Sequence, residues 1–420
     1  MPAHDTNLRS NIEPHTGLLS LLAIATFFEG FDTKLAGLVQ PLLGREWGAS
    51  TEELGLVLGL SSLGMVLAFF VIHLADWIGR RPVFLGALAA YTVLTLATAF
   101  SPNLVVYTAL QFFARMAMVV ELSLAYLILS ETVASDFRGR ANGMLGAFAA
   151  LGAAVPLALM GPLKAMDIGW RGLFVIGSLP VLLLPMYLKR IEETAAYRER
   201  IAATASRHFD WRSEWALIRS LFDRSNAKRL AGATVLWFGV NFWAGTAMGF
   251  LTIYTFGERG WNESDISWLP LGTIPVGLAG YLFCGVAMDR FGRKGATSLY
   301  LIAAFVVTVI CYQAESKAAI YLAWSLLVGL NGIWTIVTTW TLELFPTQSR
   351  ATALGVSANL FGRMGMVVGP IVAGMLSSAW SSTSSAITAL AFVMLLCLPI
   401  VWWVLPETRG AGLGDEADRS

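Results

Sequence analysis

The sequence predicts an all-α integral membrane protein: twelve membrane-spanning helices in two pseudo-symmetric six-helix halves, with both termini in the cytoplasm. Three observations carry this. Hydrophobic residues make up 56% of the chain and charged residues 14%, against roughly 25% charged in an average globular protein. Apolar stretches of the length a bilayer requires, about 20 residues, recur from one end to the other. Finally, a set of polar landmarks repeats at a nearly constant offset in the two halves.

In lipid an open backbone finds no hydrogen-bond partner, so each spanning stretch is expected to be helical. The spans are read at 17–43, 54–75, 83–100, 104–132, 140–163, 170–188, 229–256, 266–288, 296–312, 318–345, 351–376 and 385–405. Before them, residues 1–16 are polar and lack the order of a cleavable signal, which places the N-terminus in the cytoplasm. The first half is 17–188, a central cytoplasmic segment 189–228 follows, the second half is 229–405, and 406–420 is a cytoplasmic tail. Within the central segment, Trp211, Trp215, Ile218 and Phe222 form a helical stripe beside Arg212, Arg219 and Arg224. That pattern suits a helix in the headgroup plane, or a linker helix covering the cytoplasmic end.

Loop charge supports the count and the orientation, because Lys and Arg accumulate on the cytoplasmic side. Of the 29 Lys and Arg, with those at the very ends of spans counted in the adjoining loop, 21 fall in the segments assigned to the cytoplasm, 5 on the opposite side and 3 inside spans. An odd number of spans would spoil the asymmetry. A net charge of +1 gives no basic surface for nucleic acid. Cys284, Cys311 and Cys397 lie in apolar runs without metal-ligand spacing, so neither a metal nor any other cofactor is expected. His4, His15, His73 and His208 all lie away from mid-membrane and no phosphate-binding loop occurs, so the chain reads as a non-enzyme.

The repeat is specific. Asp76, Gly79, Arg80 and Arg81 recur as Asp289, Gly292, Arg293 and Lys294, at an offset of 213. Glu131, Arg138 and Gly143 recur as Glu343, Arg350 and Gly355 at 212, and Glu193-Thr194 recurs as Glu407-Thr408 at 214. Duplicated halves predict a small-molecule site near the midplane between them, served by alternating access. The charged landmarks, Asp76, Gly79, Arg80, Arg81, Glu131 and Arg138 with Asp289, Gly292, Arg293, Glu343, Arg350 and Glu407, are expected to form a cytoplasmic latch. Each surface pair is worth only about 0–1 kcal/mol, which suits a contact that must open on every cycle; the plainer alternative is charge that sets topology.

With these motifs the whole chain resembles the major facilitator superfamily. The Asp-x-x-Gly-Arg-Arg/Lys turn and its copy are highly specific for it. The run Glu343 to Thr352 and Pro406-Glu407-Thr408-Arg409-Gly410 look like the branch of sugar porters, organic-ion carriers and aromatic-acid:proton symporters. Glu29-Gly30-Phe31-Asp32-Thr33, Glu46-Trp47-Gly48, Arg115 and Gly362-Arg363 resemble the aromatic-acid:proton symporters most. The resemblance implies a proton-driven carrier of an aromatic acid.

Ionisable residues inside the spans carry independent information, since each costs about 2.5–3.5 kcal/mol at the bilayer centre. They are Glu29, Asp32 and Lys34 in the first span, Arg115 and Glu121 in the fourth, and Arg363 in the eleventh. Arg363 stands thirteen residues beyond Arg350, about 20 Å at 1.5 Å per residue, hence near the midplane. The others share that depth. Glu29 and Asp32, one helical turn apart, share a face and cannot both ionise easily in a low dielectric, which makes them the expected proton-coupling site. Arg115 and Arg363 present fixed forks matched to a carboxylate. Either can grip an anionic substrate, and Arg115 can instead be paired with Asp32 or Glu29. Trp237, Asn241, Asn331 and Trp334 could add ring stacking and amide hydrogen bonds to a binding site, or be ordinary packing.

Two features depart from the aromatic-acid symporters: the stretch after Arg115 lacks glycine and adds Glu121, and the first half offers Ile191-Glu192-Glu193-Thr194 without a proline. The reading is therefore a proton-coupled importer of a small organic acid, by the resemblance an aromatic one, in a bacterial-type inner membrane and working as a monomer. The alternative within transport is an organic-cation, zwitterion or drug carrier in which Glu29, Asp32 and Glu121 face a positive cargo. The alternative outside transport, a transporter-like membrane sensor, would need a larger soluble segment than 189–228.

Overall fold

The computed structural model describes residues 16–133, 138–194, 197–198, 223–345 and 349–409, and among these every regular element is helical. The stripe of Trp211, Trp215, Ile218 and Phe222 lies outside the described residues.

The chain opens with α1 (Thr16–Leu38) and a short α2 (Gln40–Trp47), broken at Val39 where Pro41 starts a new helix and closed by Gly48 in the left-handed conformation. Ser50 and Glu53 then cap α3 (Thr51–Ile78) reciprocally. Gly79, at φ 109°, turns the chain into α4 (Arg80–Thr98). Asn103 caps α5 (Leu104–Thr132) through the Val106 N–H, and α6 (Arg138–Ala165) follows with Pro156 and Pro162 inside it. Next, α7 (Gly169–Gly177) and α8 (Leu184–Arg190) form one rod interrupted by a tighter turn at Leu179–Leu183, where Pro180 and Pro185 break the hydrogen-bond ladder.

The second half begins with α9 (Arg224–Trp243), a widened π turn at Ala244–Met248 and α10 (Leu251–Glu258). After the single turn α11 (Glu263–Ile266) comes α12 (Leu269–Gln313). At Gly292 the backbone of α12 is not helical (φ 73°, ψ −179°), so its 45 residues are two rods meeting at a turn. Then come α13 (Lys317–Gly329) and α14 (Ile333–Glu343), followed by α15 (Arg350–Leu354), a second π stretch at Gly355–Gly362 and α16 (Met364–Ala379). The last helices are α17 (Thr383–Leu390), α18 (Val393–Leu396) and a π turn at Ile400–Val404.

Among the described residues ten helical segments are long and apolar enough to cross a membrane, the Glu263–Gln313 segment with its turn being one of them. The α1 helix is not counted, because Glu29, Asp32 and Lys34 interrupt its apolar run.

The described residues form two compact units. One takes in the chain up to Ala36 together with Leu67–His208; the other takes in Gly37–Val66 and the chain from Phe209 onward. Residues 37–66 thus join the second unit although they precede the central segment. Close backbone approach accounts for this: a Cβ on Gly55 would stand 2.5 Å from the Pro370 carbonyl oxygen, and one on Gly59 2.5 Å from that of Val367. The Thr252 hydroxyl also donates to the Gly37 carbonyl at 2.6 Å. Phe31, Phe84, Tyr91 and Phe174 fill the core of the first unit, and Trp243, Phe250, Tyr312 and Trp340 that of the second.

Candidate functional site

In the first unit the intramembrane charges come together on α1 and α5. The α1 backbone is seated hard against α6, for Gly30 faces the Ala149 backbone and Gly152 faces that of Phe27 with no space for a Cβ at either. This fixes the turn that carries Glu29 and Asp32. Exposure is 8% at Glu29, 2% at Asp32, 7% at Arg115 and 0% at Glu121. Asp32 Oδ2 accepts from the Thr95 hydroxyl of α4 at 3.3 Å, and the Arg115 guanidinium lies within electrostatic range of the same carboxylate. Asp32 and Arg115 therefore form one half of the cluster. Glu29 and Glu121 form the other: their carboxyls lie within electrostatic range of each other, and Glu29 Oε1 accepts from the Thr33 hydroxyl at 2.9 Å. Thr95, Thr33 and Tyr91 were not anticipated. Tyr91 and Thr95, one turn apart on α4, were readable only as polar residues on a common helical face.

In the second unit two of the three π stretches, Ala244–Met248 and Gly355–Gly362 in the rods carrying α9 and α16, distort the helices that carry candidate binding residues, a placement common at functional sites. Gly362, the residue before Arg363, packs so close to Trp237 that a Cβ would stand 2.6 Å from that side chain. The partly exposed Arg363 follows the π stretch, its N–H donating to the Ala358 carbonyl at 2.9 Å. The amides expected to add hydrogen bonds to a binding site have their donors engaged locally. Asn241 Nδ2 donates to the Trp237 carbonyl at 2.8 Å and Asn331 Nδ2 to that of Val328 at 3.0 Å. Trp237 Nε1 donates to the Thr341 hydroxyl at 3.1 Å, whereas the buried Trp334 Nε1 has no partner among the described residues. The structure thus sets the backbone before Arg363 against Trp237 and leaves Trp334 a donor to offer; the asparagines keep acceptor oxygens.

The charged landmarks build the same device once in each unit. Glu193 accepts from the backbone N–H groups of Arg80 (3.1 Å) and Arg81 (3.2 Å), capping the start of α4, while Thr194 donates to Glu131 at 2.5 Å. Arg80 Nε lies 3.5 Å from the same Glu131. In the second unit Glu407 accepts from the N–H groups of Arg293 (2.8 Å) and Lys294 (3.0 Å), and Thr408 donates to Glu343 at 2.5 Å. Arg293 grips Glu343 with two bonds of 2.9 and 2.6 Å. Gly79 and Gly292 allow this because their positive φ turns the next two N–H groups toward the carboxylate. Burial raises the Glu407 pKa, but bonds from the backbones of Arg293, Lys294, Arg409 and Thr408 outweigh it and hold the group below its ordinary value.

These bonds, expected as a latch, each lie within one unit and staple the turn to its neighbours. Arg350 Nε donates to the Phe345 carbonyl at 2.9 Å, and Asp289 is exposed. The side chains of Asp76 and Arg138 lie outside the described residues. Thr194 and Thr408 are members of the device that sequence reasoning quoted in the repeat without giving them a role.

Known proteins place the chain. Residues 22–262 and 238–419 match the family described as the Major Facilitator Superfamily. The niacin transporter of Acinetobacter baylyi is 26% identical, over 95% of this chain and 95% of its own. The 4-hydroxybenzoate transporter of Pseudomonas aeruginosa is 28% identical, over 88% of each chain. A solved structure, that of a D-xylose-proton symporter, superposes with a TM-score of 0.73 at 15% identity, covering 94% of this chain and 99% of that one. The motifs, the paired units and these matches agree: this chain belongs to the Major Facilitator Superfamily and is a multi-pass membrane transporter, not an enzyme.

Proposed function

We propose that the chain is a proton-coupled symporter importing a small aromatic carboxylate across a bacterial inner membrane by alternating access. Twelve crossings, cytoplasmic termini and a monomeric working state belong to this reading. The observation that carries it is the buried set of Asp32, Thr95 and Arg115, in which a carboxyl, a hydroxyl and a fixed cation meet inside apolar helices. A carboxylate there is tolerable beside Arg115 and exchanges a proton when that balance changes. Arg363 is the group that grips the cargo, with Trp237 and Trp334 beside the ring. The relatives favour this cargo, because niacin and 4-hydroxybenzoate are both aromatic carboxylic acids.

Glu29, Asp32 and Glu121 outnumber Arg115 in the cluster, which favours the second reading of a cationic cargo. One experiment separates the two. Purified chain in proteoliposomes, with the outside more acid, is given labelled nicotinate, 4-hydroxybenzoate or a quaternary amine. Accumulation of either acid, collapsed by a protonophore, is expected. Uptake of the amine with neither acid competing would overturn the proposal in favour of the cation carrier.

A further inference from the structure

Glu121 has no part in the coupling just described, and its surroundings are unusual. It is wholly buried on α5, and neither carboxyl oxygen has a hydrogen-bond partner among the described residues. The charged and titratable groups around it are Glu29 on α1, Tyr91 on α4 and Tyr187 on α8, all within electrostatic range. Tyr187 spends its hydrogen on the Leu21 carbonyl at 2.7 Å, and the nearby Ser123 hydroxyl donates to Val119 at 2.8 Å. Arg115 is six positions away on the same helix, about 9 Å along the axis, and stands with Asp32.

A bare carboxylate without a donor in such a place is expensive, and the group answers by keeping its proton. Its neighbour Glu29 is a second acid, so a full charge on both is disfavoured further. Exposure falls in the order Thr33, Glu29, Glu121, and the Thr33 hydroxyl is bonded to Glu29. Glu29 is thus the way in.

We propose that Glu121 is a second proton-carrying site, loaded and emptied through Glu29, so that one cycle moves two protons with each monoanionic cargo: one on Asp32 and one on Glu121. This rests on the symport reading above, and it makes transport carry net positive charge inward. In each loading step a proton passes from Glu29 to the Glu121 carboxylate and Glu29 is reprotonated from water, so no other reactant is needed.

The test has two arms on full-length protein. In proteoliposomes clamped at zero membrane potential, the proton-to-substrate ratio is measured from the pH gradient that just balances an imposed gradient of nicotinate or 4-hydroxybenzoate. A ratio of two in the wild type and one in Glu121→Gln is expected. A wild-type ratio of one, or a ratio of two kept in Glu121→Gln, overturns the proposal. The second arm needs no cargo: infrared difference spectra across a pH titration should show a protonated-carboxyl stretch that appears and disappears, is lost in Glu121→Gln and survives in Asp32→Asn. A band that Glu121→Gln removes but that never titrates would make Glu121 a permanent neutral acid and overturn the proposal. Failure of the symport reading itself shows differently, as absence of acid uptake with the titrating band intact. Should Glu121→Gln fail to fold, the wild-type ratio and band still decide.

Discussion

Asp32 and Glu29 stand one turn apart on the same helix and yet have different neighbours. Asp32 has Thr95 and Arg115; Glu29 has Thr33 and Glu121. If Asp32 carries the coupled proton, Asp32→Asn should abolish accumulation driven by a proton gradient while leaving exchange of cargo across the membrane, as measured by counterflow. Normal gradient-driven accumulation in that variant would remove Asp32 from the mechanism. Arg363 invites a similar argument. Lysine keeps the charge and loses the planar fork, so Arg363→Lys should weaken nicotinate or 4-hydroxybenzoate binding by roughly tenfold, about 1.4 kcal/mol. Wild-type affinity by calorimetry would make Arg363 a structural cation. The intramembrane charges were legible from sequence because their cost makes them rare. Thr95 was not, since a hydroxyl on an apolar helix is common and only the packing of α4 on α1 gives it Asp32 as a partner.

At the level of elements, the Asp-x-x-Gly-Arg turn was plain in the sequence, but the direction of its bonds was not. Charges spaced alike in two halves can pair across the halves or within each, and the offset is the same either way. The structure gives bonds within each unit: Glu193 and Glu407 cap a helix start, and Thr194 and Thr408 tie that cap to Glu131 and Glu343. The Glu407 carboxyl, held below its ordinary 4.5, contributes stability that is fully present above that value and is lost as pH falls through its lowered one. The apparent melting temperature in detergent should therefore decline as pH drops below about 4.5, and Glu407→Gln should be less stable at neutral pH with a shallower acid decline. Parallel acid curves for the two proteins would mean that the cap contributes nothing to pH dependence. The proline found in the second half alone, Pro406, accepts from Trp340 Nε1 at 3.0 Å through its carbonyl, a bond that any residue there could accept; nothing in the structure explains why the first half lacks a proline.

On the scale of the whole molecule, the duplication let the halves be drawn at the central segment, yet residues 37–66 pack in the second unit. Covalent order could not reveal this, because the grouping depends on which glycine faces meet. Gly55 is one of the tight points of this contact: its missing Cβ would stand 2.5 Å from the Pro370 oxygen and 2.8 Å from Gly374 Cα, both backbone atoms that cannot swing aside. Valine there, stiff and branched, forces the two backbones apart. Gly86 on α4 is the control, since a Cβ at that position meets nothing within 4 Å, so Gly86→Val changes only the local helix preference. In Gly55→Val, amide hydrogen exchange should accelerate in 51–60 and in 367–374 together, while the staple at 80–98 stays protected; Gly86→Val should leave both stretches as in the wild type. Joint acceleration would identify the glycine contact as the bond that keeps 37–66 in the second unit. Acceleration in 51–60 alone would place the hold elsewhere, at the Thr252 bond to Gly37.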